Sequence, residues 1–323
     1  MNRSFLIVDW GSSRLRAWIV DPDGVVGAGH ESERGIAGME RGDYPRVFRD
    51  TAMSVLSGMR SESGGEGTLD VYFSGMVTSD LGWFSTSYLP LPAGAVELAR
   101  SLRVEEYTDP GCDGLPRMRM RFLPGLRVSG DVLRGEEIEA IGVLEEHPSG
   151  EGWLVLPGTH SKWIRYRDGR LLDFVTVPTG DLHGALHRDS VISRTLPESP
   201  VRIEGELWGA FDAGVASARE RGGLSSIFRT RSLAVLDAAA WPPSRSSAFL
   251  SGALIGGEIA ERLRFVKTGQ TVLVGGAEMM GEVYMRAFAL FDESAARFSR
   301  VVGGAPAIVR GVRRLRQIEA ESR

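Results

Sequence analysis

Cysteine is almost absent from this chain. Its 323 residues hold one, Cys112, so an intramolecular disulfide and a zinc site built on several thiolates are both excluded. Lysine is nearly as scarce: Lys162 and Lys267 are the two among 38 basic residues. A Walker A loop needs Gly-Lys-Ser/Thr. Lys162 follows Ser161 and Lys267 follows Val266, so there is no P-loop. No run approaches the roughly 18–20 consecutive apolar residues of a membrane-spanning helix. The N-terminal run from Phe5 to Val8 reaches Asp9 after four apolar residues, too short for a signal peptide. A cytoplasmic, reducing location is expected. Positive charge is not in excess: the formal net charge is −4, so neither nucleic acid nor an anionic membrane is an expected partner.

Glycine, by contrast, is abundant. There are 41, about twice the usual share of roughly 7%, which implies tight turns and close backbone approach to something. The glycines punctuate strands. FLIVDW (5–10) is a short apolar run ended by Gly11; RLRAWIV (14–20), the turn DPDG (21–24) and VVGAGHES (25–32) complete an antiparallel meander. A helix with apolar spacing is predicted over 43–60, and VYFSGM (71–76) is a further strand. The same grammar returns in WLVLP (153–157), KWIRYRDG (162–169) and RLLDFVTV (170–177), with Gly158 standing where Gly11 stood. Helices over 204–221 and 247–264, a strand at 271–276 opening into a helix at 277–291, a strand at 298–304 and a last helix from Pro306 follow. We read two α/β domains, 1–148 and 149–323, each a mixed sheet flanked by helices and related by duplication; chance similarity of two meanders is the competing reading.

Three loops are suited to an anionic ligand. In Asp9-Trp10-Gly11-Ser12-Ser13-Arg14, the hydroxyls and loop N–H groups of Gly11, Ser12, Ser13 and Arg14 can donate to phosphate oxygens. Asp9 can hold Mg²⁺ through water, or can instead cap its own hairpin turn. In Pro157-Gly158-Thr159-His160-Ser161-Lys162, the duplicated partner, Gly158, Thr159, His160 and Lys162 can cradle terminal phosphates. Gly275-Gly276-Ala277 ends a strand at a helix start and suits a base or ribose. The meander and its duplication resemble the ribonuclease H-like fold shared by sugar kinases, the heat-shock chaperone ATPase domain and actin. That resemblance implies two phosphate hairpins and an adenosine loop closing on ATP in an interdomain cleft, with the closure excluding water.

One family is resembled more closely. VDWGSSRLRAW (8–18), SGMVTSDLGW (74–83), RGEEIEAIG (134–142), PGTHSKW (157–163), DFVTVPTGDLH (173–183), FLSGALIGGEIA (249–260) and VLVGGAEMMGEVYMRAF (272–288) are similar to 2-dehydro-3-deoxygalactonokinase, also called 2-keto-3-deoxygalactonate kinase. The resemblance implies ATP-dependent phosphorylation of 2-dehydro-3-deoxy-D-galactonate at its 6-hydroxyl, in galactonate breakdown, with ATP and Mg²⁺ as cofactors. The first domain would then bind the sugar acid and the second the adenosine. A proton acceptor is expected near the sugar hydroxyl. Asp131 and Glu136 or Glu137 occupy the expected place between the phosphate loops, and Glu136 and Asp131 are the candidates; carboxylates at a helix start also serve as mere dipole partners. Arg134 is expected to clamp the substrate carboxylate. Gly75, Met76 and Ser79 resemble a sugar-contact loop, with Trp83 as an apolar wall or a core aromatic, and Thr179 as a further contact or a helix cap. His183 and His187 read as surface or capping histidines, and Arg310, Arg313, Arg314 and Arg316 as a solvated helix face. The expected partners are the small sugar acid and ATP, with a homodimer left open. The alternatives are a kinase for another keto-deoxy sugar acid, a non-catalytic sugar-acid sensor, and a nucleotide hydrolase on the same scaffold.

Overall fold

A computed structural model describes residues 3–57, 68–108, 115–292 and 297–322. Cys112 and the end of the helix expected over 43–60 lie outside these. The chain forms two compact units: residues 1–150, 167–173 and 303–323 make the first, and 151–166 with 174–302 make the second.

The first unit is built on a six-stranded sheet. Its strands are β1 (Phe5–Trp10), β2 (Leu15–Val20), β3 (Val26–Ser32), β4 (Leu69–Ser74), β6 (Arg103–Tyr107) and β7 (Met118–Phe122), in the order β3-β2-β1-β4-β7-β6. A small second sheet holds β5 (Tyr88–Pro90), β8 (Gly125–Val128) and β9 (Asp131–Leu133). β1 is antiparallel to β2 and parallel to β4. It is buried on both faces, which is why its sequence is a continuous apolar run rather than an alternation. Helix α1 (Tyr44–Leu56) lays Tyr44, Val47, Phe48, Thr51, Ala52 and Val55 on the sheet, a spacing of three and four residues. The unit also holds α2 (Ala95–Arg100), α3 (Glu136–Leu144) and α9 (Gly304–Glu321).

The five-stranded sheet, which belongs to the second unit apart from residues 167–173, holds β10 (Glu151–Leu156), β11 (Ser161–Arg167), β12 (Arg170–Val177), β13 (Thr271–Val274) and β14 (Phe298–Arg300), in the order β12-β11-β10-β13-β14. This repeats the first five positions of the larger sheet. β10 is parallel to β13, and β13 to β14, as β1 is to β4 and β4 to β7. The duplicated, helix-flanked mixed sheets of a ribonuclease H-like α/β fold are therefore present. Around the second sheet lie α4 (Thr179–Asp189), α5 (Leu207–Arg221), α6 (Gly223–Leu236), α7 (Pro243–Arg262) and α8 (Glu278–Ala289). Helix α6 was not foreseen: Gly222, at φ 89°, ends α5 as expected, but the chain re-enters a helix at once.

The last helix departs from the sequence reading, which gave everything beyond 148 to the second domain. Helix α9 packs along α3, and a Cβ at Gly142 would sit 1.7 Å from the Ala307 carbonyl oxygen, so only glycine permits this approach. Tyr72 O–H donates to Glu319 at 2.6 Å, and buried Arg121 bonds Glu319 and Asp70 at 2.9 and 2.6 Å. Nor is its arginine row wholly solvated. Arg310 pairs with Glu146, Arg314 with Glu145 and Arg316 with Asp70; Arg313 is the exposed member.

Candidate active site

In the first unit, β1, β4 and the start of α3 converge at one end of the sheet. Asp9, near the end of β1, sits opposite Arg16 in the β1–β2 register and pairs with it at 2.5 Å. Burial pushes the Asp9 carboxyl above its usual range, and the Arg16 charge opposes this. The ion pair, rather than a cap on its own turn, is what Asp9 makes. Beside it, Gly75 ends β4 at φ 91°, where a Cβ would lie 2.8 Å from the Trp10 carbonyl oxygen. Gly135 packs next to it: its Cβ would be 3.2 Å from the Gly75 Cα.

Gly135 opens α3, and with it the two candidate carboxyls. Glu136 is half-buried. Glu137 is 1% exposed; its Oε2 accepts the Gly135 N–H at 2.5 Å, and its Oε1 has no hydrogen-bond partner among the described residues. Burial pushes the Glu137 carboxyl up to about 8, with the neighbouring Glu136 adding to the rise. The other candidate, Asp131, is not brought here. It opens β9, four residues before Gly135 and at the far end of the strand from it, a span of about 13 Å at ~3.3 Å per residue. Its carboxylate accepts the Val132 N–H at 2.8 Å.

Arg134 also departs from expectation. Its Nη1 donates to the Thr78 carbonyl at 2.6 Å and to Thr86 Oγ1 at 2.7 Å, its Nη2 to the Thr86 carbonyl at 3.0 Å and its Nε to Tyr88 O–H at 3.2 Å. The guanidinium also lies over the Tyr88 ring. Every guanidinium nitrogen thus has a protein acceptor, so Arg134 buttresses the 75–88 segment instead of presenting a free fork to a carboxylate. Ser79 turns its hydroxyl back onto the Met76 carbonyl at 2.7 Å. Met76 and Trp83 pack on the first unit's core, where the Trp83 ring meets Phe48, Phe73 and Phe122; Trp83 is the core aromatic. Ser12, Ser13 and Arg14 lie exposed on the β1–β2 turn, whose Gly11 and Ser12 carbonyls accept the N–H groups of Ile36 and Ala37.

In the second unit, β10 and β13 run parallel and end together, so the loops that follow them are neighbours. Gly158, Thr159 and His160 are exposed on one. The other turns at Gly276, φ 81°, against Pro157 and leads through Ala277 into α8. The start of α4 closes against the first loop. Asp181 N–H donates to the Thr159 carbonyl at 2.9 Å, and a Cβ at Gly180 would lie 2.6 Å from the Gly158 carbonyl oxygen. An exposed loop with Gly158 and Thr159 at its tip, beside a helix N-terminus, is an arrangement that favours anions. Lys162 is not at the tip: it lies within β11, 5% exposed.

Against the Gly158 loop and the start of α4 opens a cavity of about 520 Å³, a volume ordinary for a small-molecule site; Gly275, Gly276 and Ala277 are not among its lining residues. Gly158, Thr159 and Gly180 form one side, and Ile203, Trp208, Leu254 and Met280 are among its apolar walls. His183 lines it too, 3.3 Å from Ser251 Oγ. Burial and the nearby His187 ring lower the His183 pKa, so this is a half-buried wall residue and not a surface histidine. Thr179 does not offer its hydroxyl to the cavity: it donates to the buried Glu258 carboxylate. The wall residues and Glu258 were not singled out from sequence. For Glu258 the available signal was one carboxylate among small and apolar residues in FLSGALIGGEIA.

Comparison with known proteins identifies the family. The sequence model of the 2-keto-3-deoxy-galactonokinase family matches residues 9–315. A 2-dehydro-3-deoxygalactonokinase of Escherichia coli is 32% identical over 294 residues, 89% of this chain and 90% of the relative. A probable 2-dehydro-3-deoxygalactonokinase of Rhizobium meliloti is 30% identical over 289 residues, 88% of each. The crystal structure of a candidate 2-dehydro-3-deoxygalactonokinase from Sinorhizobium meliloti superposes with a TM-score of 0.78 at 27% identity, covering 98% of this chain and 99% of that one. The chain therefore belongs to the 2-keto-3-deoxy-galactonokinase family and is a carbohydrate kinase.

Proposed function

We propose that this kinase phosphorylates 2-dehydro-3-deoxy-D-galactonate at its 6-hydroxyl, using ATP with Mg²⁺, as a step in galactonate breakdown. The observation that carries the nucleotide half is the second unit's cavity, which combines apolar walls at Ile203, Trp208, Leu254 and Met280 with the exposed Gly158–Thr159 loop beside a helix N-terminus. The base and ribose take the apolar part. The phosphates meet the Gly158–Thr159 backbone, the Thr159 hydroxyl and the start of α4, with Gly276 and Ala277 alongside. Within the first unit, the exposed Ser12–Arg14 turn has the hydroxyl and N–H donors that suit a phosphate. Bound Mg-ATP supplies the transferable phosphoryl group. Mg²⁺ commonly keeps its waters and takes one or two carboxylates besides phosphate oxygens; Asp9 would meet it through Oδ1, since Oδ2 is held by Arg16.

In the first unit, the sugar acid is read at the Gly75–Gly135 contact. Glu136 is the proton acceptor for the 6-hydroxyl, because it is the half-buried member of its pair. Glu137 carries the proton of that pair at neutral pH and fixes the start of α3 through Gly135. Catalysis in such a site is positioning and charge stabilisation with one proton removed. A coupled assay of ATP consumption over a panel of keto-deoxy sugar acids tests the reading. Turnover should depend on the acid and be highest for the galactonate-series compound. ATP hydrolysis that ignores the acid would point to a hydrolase, and preference for another acid would correct the substrate. Glu136→Gln should lower kcat by ~10²–10⁴-fold with little change in ATP binding.

A further inference from the structure

Behind the wall of the nucleotide cavity lies a buried polar cluster that takes no part in the reaction just described. Glu258, on α7, is 4% exposed. Its Oε1 accepts the Trp163 indole N–H at 2.7 Å. Its Oε2 accepts the Tyr284 hydroxyl at 2.7 Å and the Thr179 hydroxyl. Since Tyr284 gives its one proton to Glu258, Ser161 must be the donor in the 2.9 Å contact between Ser161 Oγ and the Tyr284 oxygen. One carboxylate therefore ties together four elements: β11 through Trp163, with Ser161 one bond further on, α4 through Thr179, α8 through Tyr284, and its own α7.

The placement of these partners matters more than their number. Thr179 and Tyr284 line the cavity, whereas Trp163 and Glu258 do not. Ser161 follows His160 directly and begins the strand that leaves the Gly158 loop. Thr179 is the first residue of the helix whose Gly180 and Asp181 hold that same loop. Tyr284 lies on the helix that starts at the Gly276 turn. Both sides of the loop and one cavity wall are thus referred to a single buried group. A buried carboxylate with three protein donors is satisfied as it stands, yet an isosteric apolar side chain would pack α7 with less desolvation. A carboxylate at this place is explained if position, and not stability, is what it supplies.

We infer that Glu258 is a positioning residue for the nucleotide, acting through Thr179, Tyr284 and Ser161 to fix the Gly158 loop and the adjoining cavity wall. The inference rests on reading that cavity as the nucleotide site. Its test measures three things in each variant: binding of a non-hydrolysable ATP analogue by calorimetry, the KM for the sugar acid at saturating ATP, and far-UV circular dichroism. In Glu258→Gln, analogue binding should weaken about tenfold while the sugar-acid KM stays within twofold. Trp163→Phe removes one donor without touching the cavity, and should weaken analogue binding about threefold. The double variant should be no worse than Glu258→Gln alone, because both changes act through one group.

A folded Glu258→Gln protein with wild-type analogue affinity would overturn the inference. So would an equal loss of both substrates, which would mark general damage. If Glu258→Gln does not fold, Trp163→Phe decides by the same two criteria. Met280→Trp, which fills the cavity, separately tests the underlying reading: undiminished analogue binding there would remove the nucleotide from this cavity, whatever Glu258 does.

Discussion

Glu137→Gln offers a quantitative check on the first unit's site. The Glu137 carboxyl is held up to about 8 from an ordinary value of 4.5, chiefly by burial. Between those two values the folded chain keeps a proton that the unfolded chain has released. Stability therefore falls as pH rises through this window and levels off above it. At about 1.4 kcal/mol per pH unit, the cost to the folded state grows from roughly 2 kcal/mol at pH 6 to roughly 4 kcal/mol at pH 8. Glutamine cannot ionise, so the variant escapes this cost. It keeps an acceptor for the Gly135 N–H but buries an amide donor, which subtracts about 1–3 kcal/mol at every pH. The informative quantity is therefore the change with pH of the difference between the two proteins, about 2 kcal/mol from pH 6 to pH 8, in favour of the variant. Other buried carboxyls, Asp9 and Glu258 among them, are common to both proteins and cancel. Urea unfolding at the two pH values measures it, and the equivalent shift in Tm is about 4–8 °C for a unit of this size. Parallel pH profiles for the two proteins would refute the reasoning, because they would mean that the Glu137 carboxyl is not desolvated in the native state.

Arg134→Gln should lower the Tm of the ligand-free protein by several degrees, since it strips acceptors at Thr78, Thr86 and Tyr88 of their donor; an unchanged melting curve without substrate would restore the carboxylate-clamp role. Glu319→Ala leaves Arg121, 3% exposed, with Asp70 as its remaining carboxylate partner. It should cost about 3 kcal/mol, at the low end for breaking a buried ion pair, and denaturant titration reads this directly. Gly180→Val pushes a side chain into the Gly158 carbonyl, 2.6 Å from where its Cβ would be. It should weaken ATP binding by tenfold or more with the sugar-acid KM unchanged.

The parts of this molecule that could be read in the sequence are those that local chemistry decides. The two meanders are visible because apolar runs, Asp-Gly turns and strand-ending glycines are short-range signals, and the structure repeats the same five-strand order in both sheets. The glycine loops at 158 and 275–276 were legible for the same reason. The small β5-β8-β9 sheet was not: its strands are three or four residues long and carry too little periodicity. Helix α6 was hidden because Gly222-Gly223 reads as a stop. At the site, Arg134 misled because two of its acceptors are backbone carbonyls, at Thr78 and Thr86, which any residue supplies. Asp131 and Glu136 are both carboxylates and five positions apart in the sequence; their separation follows from the course of β9, which no single residue announces. The role of α9 was equally closed to inspection, since its amphipathic stripe fits any apolar surface and its partner α3 lies far back in the chain.

That last pairing has a consequence for how the protein is made. The first unit needs residues 303–323, which leave the ribosome about 150 residues after its other main segment ends at Gly150. At ~5–20 residues per second, the surface of α3 that will receive α9 waits roughly 10–30 s, with Ile138, which packs against Gly311 of α9, exposed to the cell's chaperones. The half of the molecule synthesised earlier is therefore the one completed later, and a fragment that stops at 150 should aggregate where one spanning 151–302 has its own sheet to close on.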